Sequence, residues 1–172
     1  MLWKKKPRLG VDLGKYSLKL CALESSETSC TVCSEEIWPQ RQARENPGNK
    51  QQAEEQIKRV FEQCLKRFKS GAKRLHVGVS DPGMCSGYLE LPSLSKDQLA
   101  VAVPSAVARE IPQNLKDVKL FYIAVPPLDA NSGKGALFFV TLTNKAIDAQ
   151  QSLFSKFGHE ISQLEPGLLA LI

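Results

Sequence analysis

The first part of the chain alternates apolar with polar residues, which is the pattern of half-buried β-strands. The segment SLKLCALE (residues 17–24) shows this pattern, and RLGVDLG (residues 8–14) before it is apolar with a glycine on each side of the aspartate. We predict one strand in each, joined by a tight turn that begins at Gly14. A third strand is predicted over residues 29–38. The chain therefore opens with a β-meander.

A helical repeat follows a polar loop. Between residues 52 and 69 the apolar residues recur three or four positions apart, as on one face of an amphipathic helix: Ala53, Ile57, Val60, Phe61, Cys64, Leu65 and Phe68. The segment LHVGVS (residues 75–80) is then predicted to be a short buried strand. Together these elements predict a mixed α/β layer in which one helix packs on a sheet.

The tetrapeptide Ser-Asp-Pro-Gly at residues 80–83 predicts a turn and marks the boundary of a second region. Beyond it the pattern predicts three strands, over residues 86–91, 118–125 and 135–143. A further strand over residues 159–164 follows this region. The sequence after it, EPGLLALI, predicts the start of an apolar helix.

Two helices are predicted among the strands of the second region. Ser95 and Gln98 have the spacing of a capping box at the start of the first helix. Pro104 is expected to bend or interrupt that helix, because proline removes a backbone donor and clashes with the preceding turn. Asn144 is expected to cap the second helix, residues 145–157. The second region is therefore predicted to be a compact α+β insert.

The composition places the chain among ordinary globular proteins. It has 172 residues, of which 42% are hydrophobic and 24% charged, enough for one sizeable core or two small ones. No apolar stretch approaches the ~20 residues that a membrane-spanning helix needs, and charges interrupt what would be the apolar part of a signal peptide. We expect a cytoplasmic protein without direct membrane insertion.

The cysteines, histidines and basic residues give no separate functional signal. Five scattered cysteines do not form a disulfide framework. Cys30 and Cys33 form a single CxxC without a second pair, so we interpret them as strand residues of a reduced protein with no metal site. His76 is expected at a strand edge and His159 in a loop. The net charge is +5, but no aromatic residues are interleaved with the basic ones, so nucleic-acid binding is not expected.

One motif carries chemical content. Asp12 ends a predicted buried strand beside Gly14, so its carboxylate could hold a hydrated magnesium ion. Backbone donors of the turn and Ser17 could face phosphate oxygens, with added charge from Lys15 or Lys19. The alternative interpretation is an ordinary hairpin in which Asp12 accepts backbone hydrogen bonds. The sequence contains no GxxxxGK[ST], GxGxxG, GxSxG or HExxH motif.

The segment LGVDLGKYSLKLCALE resembles the first phosphate motif of the actin, Hsp70 and sugar-kinase superfamily. It is especially similar to the start of the PilM family of bacterial type IV pilus assembly proteins. Three further segments agree with that family in order and spacing: GYLELPSLSKDQLAVAV, REIP, and ALFFVTLTNKAIDAQQSLFSKFGHEISQLEPGLLAL. The resemblance therefore covers nearly the whole chain.

This resemblance implies an α/β, actin-like (ribonuclease H-like) N-terminal lobe in an FtsA-like arrangement. Subdomain 1A, a mixed sheet, would comprise residues 1–80 and 158–172, and the α+β subdomain 1C would be inserted as residues 81–157. Family members bind ATP and Mg between two lobes and hold the N-terminal peptide of the inner-membrane protein PilN. The expected role is therefore a cytoplasmic scaffold of pilus assembly, peripheral to the inner membrane through its partner and in contact with other pilus assembly proteins.

Carried over by position, Asp12, Gly14, Ser17 and Lys19 match the phosphate motif, and Asp12 would meet Mg only with bound nucleotide. The chain departs from the family at Lys15 and its neighbour Tyr16, which replace small hydroxyl residues, and it lacks the second lobe. We therefore predict no tight ATP binding, no hydrolysis and no enzymatic activity of this chain alone.

Two alternatives within the superfamily stay open. One is the cytoplasmic domain of a type II secretion L protein, which shares the fold but usually lacks an intact phosphate motif. The other is the N-terminal lobe of an ATP-dependent sugar kinase, for which we identify neither a catalytic aspartate nor a sugar-binding loop. The apolar residues 168–172 also predict self-association.

Overall fold

A computed structural model describes residues 8–14, 18–25, 30–37, 50–67 and 74–171 of the chain. Backbone proximity divides the chain into two compact units. Unit 1 comprises residues 1–80 and 149–170, and unit 2 comprises residues 81–148 with 171–172. The first boundary falls in the predicted turn, and the second falls inside a helix. The assignment of 1A and 1C remains a prediction from the resemblance.

Unit 1 contains a five-stranded mixed sheet. Its strands are β1 Arg8–Leu13, β2 Leu18–Ser25, β3 Cys30–Ile37, β4 Arg74–Val79 and β8 Glu160–Pro166. They lie in the order β3-β2-β1-β4-β8. The meander β1-β2-β3 is antiparallel, as predicted, whereas β4 pairs in parallel with both β1 and β8. Three neighbouring parallel strands therefore end at the same edge of this sheet.

One face of this sheet is buried, and it carries the alternating apolar residues that the pattern predicts. Its fully or nearly buried side chains are Leu9, Val11, Leu13, Leu18, Leu20, Ala22, Leu75, Val77 and Val79. Phe61 of helix α1 (Lys50–Arg67) and Phe154 of helix α3 (Asn144–Lys156) are also fully buried. Their rings meet edge to face with centroids 5.6 Å apart. His159 lies in the loop after α3, and its ring centroid is 5.1 Å from that of Phe61.

Unit 2 contains a three-stranded antiparallel sheet and a helix. The strands are β5 Cys85–Pro92, β6 Val118–Val125 and β7 Lys134–Thr143, in the order β5-β7-β6. Helix α2, Lys96–Glu110, packs on one face of the sheet. The buried core residues between them are Val103, Val107, Ile111, Val118, Leu137 and Phe139. This is the α+β arrangement predicted for the region.

Helix α2 begins with the predicted capping box, in which the Ser95 side chain accepts from the Gln98 N–H and the Gln98 side chain accepts from the Ser95 N–H. Pro104 was predicted to bend or interrupt this helix. The interruption is wrong, because one continuous helix contains the proline. The carbonyl of Ala100 loses its partner to the proline, but Ala100 is exposed and water can reach it. The Ser105 hydroxyl donates to the neighbouring Val101 carbonyl at 3.3 Å.

The predicted cap of α3 also needs correction. The Thr143 hydroxyl oxygen accepts a hydrogen bond from the Ala146 N–H at 3.1 Å, the geometry of an N-cap. Asn144, predicted to be the cap, lies in the first turn and donates instead to the Lys116 carbonyl at 2.8 Å. Threonine and asparagine are both favourable N-cap residues. The sequence Thr143-Asn144 therefore did not indicate which of the two would cap the helix.

The segment after β8 forms a 3-10 helix, Gly167–Leu171, where the sequence predicted the start of an apolar helix. Five residues are too few for a stable α-helical nucleus, and short 3-10 turns are common at such positions. None of the helices in the described parts of the chain combines the length and apolar character needed to cross a membrane.

Candidate functional site

Asp12 lies at the edge of the unit 1 sheet where the parallel strands end. It pairs in register with Lys19 on the antiparallel neighbour β2 and with Gly78 on the parallel neighbour β4. Gly78 in turn lies opposite Glu165 of β8. The carboxyl ends of parallel strands are a preferred place for ligand sites in α/β sheets. The topology therefore puts the predicted phosphate-motif carboxylate where such a site would be expected.

The two oxygens of the Asp12 carboxylate have different surroundings. Oδ2 lies 3.3 Å from the Lys19 Nζ, and the two side chains are 40% and 52% exposed. Oδ1 faces the backbone of two glycines. A Cβ added at Gly78 would lie 3.8 Å from Oδ1, and a Cβ added at Gly167 would lie 3.7 Å from it. The carboxylate is therefore accessible and is bordered by two residues that leave space beside it.

The structure brings together only part of the predicted site. Asp12 and Lys19 form an ion pair, and Gly14 follows β1 directly in a half-buried position. Lys15 and Ser17, the other predicted residues, lie outside the described residues. The groups that the structure brings together are an accessible carboxylate, a neighbouring ammonium group and a glycine. They are of the kinds that would form one side of a magnesium–nucleotide site. Nucleotide binding by these residues remains a prediction.

Sequence reasoning missed the glycines that border the carboxylate. Gly78 lies inside the segment LHVGVS and Gly167 in EPG, but neither position carried a signal of its own. Their proximity to Asp12 depends on the parallel pairing of β1, β4 and β8, which joins residues far apart in sequence. The nearest available signal was the glycine within an otherwise apolar strand, which often marks a close backbone approach.

Three polar side chains of β4 and β8 lie next to this edge and are linked to one another. The Gln163 Nε2 donates to the Glu165 Oε1, and the Gln163 Oε1 lies 3.1 Å from the His76 Nδ1. The prediction that His76 sits at a strand edge is wrong, because β4 pairs on both sides. Among the residues that the structure describes, no three His, Cys, Asp or Glu side chains are grouped to hold a metal ion.

Unit 2 has a different feature, an apolar groove of about 230 Å³. The groove lies on the face of the sheet that α2 covers, beside the first turn of that helix. Its walls are Leu91, Pro92, Ser93, Leu94, Leu99, Tyr122, Ala124, Gly135, Ala136 and Leu137. Gly135 opens the floor, because a Cβ there would meet only the Leu91 carbonyl oxygen, at 4.0 Å. No pattern in the sequence indicated this groove.

Asp81, at the start of unit 2, organises the turn and the beginning of α3. Its Oδ2 accepts from the Thr143 hydroxyl at 2.7 Å and from the Thr143 N–H at 3.2 Å, and its Oδ1 accepts from the Gly83 N–H at 3.0 Å. Burial raises the pKa of Asp81, but these three hydrogen bonds outweigh burial and hold the pKa below its usual value. The role is structural, because both carboxylate oxygens accept hydrogen bonds from the turn and from Thr143.

Comparison with known proteins gives a result at the level of fold. No protein-family model matches the sequence, and no curated protein matches it. Among solved structures, the chain is similar to the PilM–PilN type IV pilus biogenesis complex, with a TM-score of 0.69 and 15% identity. It is also similar to the cytoplasmic domain of EpsL, an inner-membrane component of the type II secretion system of Vibrio cholerae, with a TM-score of 0.58 and 14% identity. The fold is actin-like.

The share of each chain that the matches cover determines how far the likeness reaches. They cover 95% and 96% of this chain but only 48% and 59% of the two solved chains, so the chain spans about half their length. The mixed α/β, actin-like fold predicted from the sequence is therefore confirmed. At such low identity the likeness concerns the fold.

Proposed function

We propose that the chain is part of a cytoplasmic, actin-like scaffold of a bacterial type IV pilus assembly machine. In this role it docks the N-terminal peptide of a PilN-like inner-membrane protein and so stays peripheral to the inner membrane. The observation that carries the proposal is the likeness in fold, over 95% of the chain, to a structure of PilM with PilN. The motif around Asp12 supports it independently, because it resembles the start of that family.

The nucleotide has a secondary place in this proposal. Asp12, Gly14 and Lys19 would contribute one side of a Mg-ATP site, with Lys15 and Ser17 as further predicted contacts. The Asp12 carboxylate would hold the hydrated cation, and Lys19 would offset phosphate charge. One such side offers few contacts to offset the cost of ordering a nucleotide. We therefore propose weak ATP binding, no hydrolysis and no enzymatic activity for this chain alone.

The second candidate is the cytoplasmic L-type domain of a type II secretion system. The likeness to the cytoplasmic domain of EpsL over 96% of the chain favours it. The accessible Asp12 carboxylate beside Gly14 favours the pilus candidate, because the L-type proteins usually lack an intact phosphate motif. The sugar-kinase alternative shares the phosphate motif, but we identify neither a catalytic aspartate nor a sugar-binding loop for it in the sequence.

Isothermal titration calorimetry tests the proposal. The full chain is titrated with a synthetic peptide from the cytoplasmic N-terminus of a PilN-like protein and, in parallel, with Mg-ATP. We expect heat from the peptide at a one-to-one ratio and none from Mg-ATP at micromolar concentrations. Tight binding of Mg-ATP without peptide binding would overturn the scaffold proposal and favour the kinase-like alternative. A scrambled peptide of the same composition is the control.

A further inference from the structure

The two edges of the unit 2 sheet differ in how they resist pairing with another strand. Edge strand β5 contains Gly87, Glu90 and Pro92, and glycine, charge and proline all disfavour strand addition. Edge strand β6 has eight residues, VKLFYIAV, with no glycine, no proline and one charged side chain, Lys119. In the described parts of the chain, no strand pairs with its outer side. β6 therefore presents an open row of backbone donors and acceptors.

The groove of unit 2 opens along this same edge. Tyr122 and Ala124 of β6 belong to its wall, and both are exposed. They lie on the face that α2 covers, because side chains alternate along the strand and Leu120, on the same side, packs against the core. A strand added to β6 would therefore direct every second side chain towards the groove.

The opposite face of β6 carries the charge. Lys119 lies on the same side as Phe121, and its Nζ is 5.2 Å from the centre of the Phe121 ring. No acidic side chain lies on β6 to offset this charge. Pairing β6 with β6 of a second copy would bring two such lysines to the same junction between strands. A partner strand with a carboxylate opposite Lys119 would instead be attracted to the lysine.

We propose that β6 is a docking edge for an extended segment of another protein, which adds to the sheet as an antiparallel strand. The segment carries an acidic residue opposite Lys119 and apolar residues opposite Tyr122 and Ala124, so that one face meets the ammonium group and the other fills the groove. Main-chain hydrogen bonds supply affinity, and the side-chain pattern supplies specificity. This surface lies within unit 2, whereas the residues proposed for the nucleotide lie in unit 1, and the inference does not depend on the PilN-like peptide of the proposed function.

The probe is a capped nine-residue peptide of threonine with leucine at its second and fourth positions and glutamate at its seventh. In antiparallel pairing these positions lie opposite Ala124, Tyr122 and Lys119. We expect binding to the full chain with a Kd on the order of 100 µM, because a short peptide loses much conformational freedom. A control peptide with the glutamate moved to the sixth position turns the charge to the groove face and should bind about tenfold more weakly.

Two variants of the chain are matched with controls. Gly135→Val fills the groove from its floor, where a side chain has open space, and should weaken binding about tenfold, whereas Leu128→Ser at an 86% exposed site should not. Lys119→Glu should weaken binding about fivefold, whereas Lys116→Glu, which changes the net charge equally, should not. Fluorescence anisotropy gives the Kd, and circular dichroism checks that each variant is folded.

NMR chemical-shift changes locate the bound peptide. We expect the amides of β6 to shift on peptide addition and those of β5 not to shift. No binding at 2 mM peptide, equal binding of the two peptides, or shifts confined to β5 would each overturn the proposal. A dimer in sedimentation that Gly135→Val dissociates would also overturn it, because a second copy would then be the occupant.

Discussion

The sheets of the two units place their accessible chemistry at different positions. In unit 1 the three parallel strands β1, β4 and β8 end at one edge, and the Asp12 carboxylate lies there beside two glycines. In unit 2 all strands are antiparallel, so their ends alternate and no such edge forms. Its accessible features are instead the side of an edge strand and an adjoining groove. Parallel pairing gathers strand ends, whereas antiparallel pairing leaves strand sides open.

The largest expected effect is on the core of unit 1. Phe61→Ala removes a fully buried ring that contacts Phe154, and we expect it to lower the free energy of unfolding by about 4 kcal/mol. Urea denaturation followed by circular dichroism measures the change. Leu128→Ser, at an exposed site of unit 2, is the control and should stay within about 0.5 kcal/mol of the wild type. A loss below about 1 kcal/mol for Phe61→Ala would contradict the packing described.

The same substitution at Asp81 and at Asp12 separates a carboxylate with a structural role from one that is accessible. Asp81→Asn removes the charge from three hydrogen bonds with Thr143 and Gly83. We expect it to lower the free energy of unfolding by about 2 kcal/mol at neutral pH. Urea denaturation again measures the difference, and an effect equal to that at Asp12 would remove the distinction between the two carboxylates.

The pH dependence of that effect follows from the pKa of Asp81. The pKa is lower in the folded chain than in the unfolded chain, so the unfolded state binds more protons as the pH falls. The contribution of Asp81 is therefore fully present above the unfolded pKa of about 3.9 and is lost as the pH falls through the lower folded pKa. The stability difference between wild type and Asp81→Asn should narrow below about pH 4. A constant difference down to pH 2 would contradict the sign of the shift.

The smallest expected effect is at the other carboxylate. Asp12→Asn breaks an ion pair whose side chains are both substantially exposed, and such pairs contribute at most about 1 kcal/mol. We expect the free energy of unfolding to change by no more than that amount. A loss above about 1.5 kcal/mol would show that Asp12 supports the fold in the way that Asp81 does.

The sequence predicted those parts of the fold that depend on local periodicity. Alternation identified the buried face of β2, including Leu18 and Leu20, and helical spacing identified α1 with Phe61. The capping box at Ser95 was also predicted, because its two residues are close in the sequence. In each case the physical cause lies within a few neighbouring residues.

The features that were missed depend on pairing between distant segments. The approach of Gly78 and Gly167 to Asp12 requires three strands to assemble in parallel. The groove brings Gly135 of β7 and Leu99 of α2, which are distant in sequence, into one lining. Pro104 was misjudged because the carbonyl that it leaves unpaired lies on the exposed side of the helix, where water offsets the loss.

The most direct test of the central claim is an NMR titration of the full, isotope-labelled chain with the PilN-like N-terminal peptide and, separately, with Mg-ATP. We claim that this chain binds a partner segment and, on its own, binds a nucleotide only weakly. We expect saturable amide shifts with the peptide, and no saturation of the shifts at Asp12, Gly14 and Lys19 with Mg-ATP up to 1 mM. Saturable shifts at those three residues with Mg-ATP, together with an unchanged spectrum on peptide addition, would contradict it.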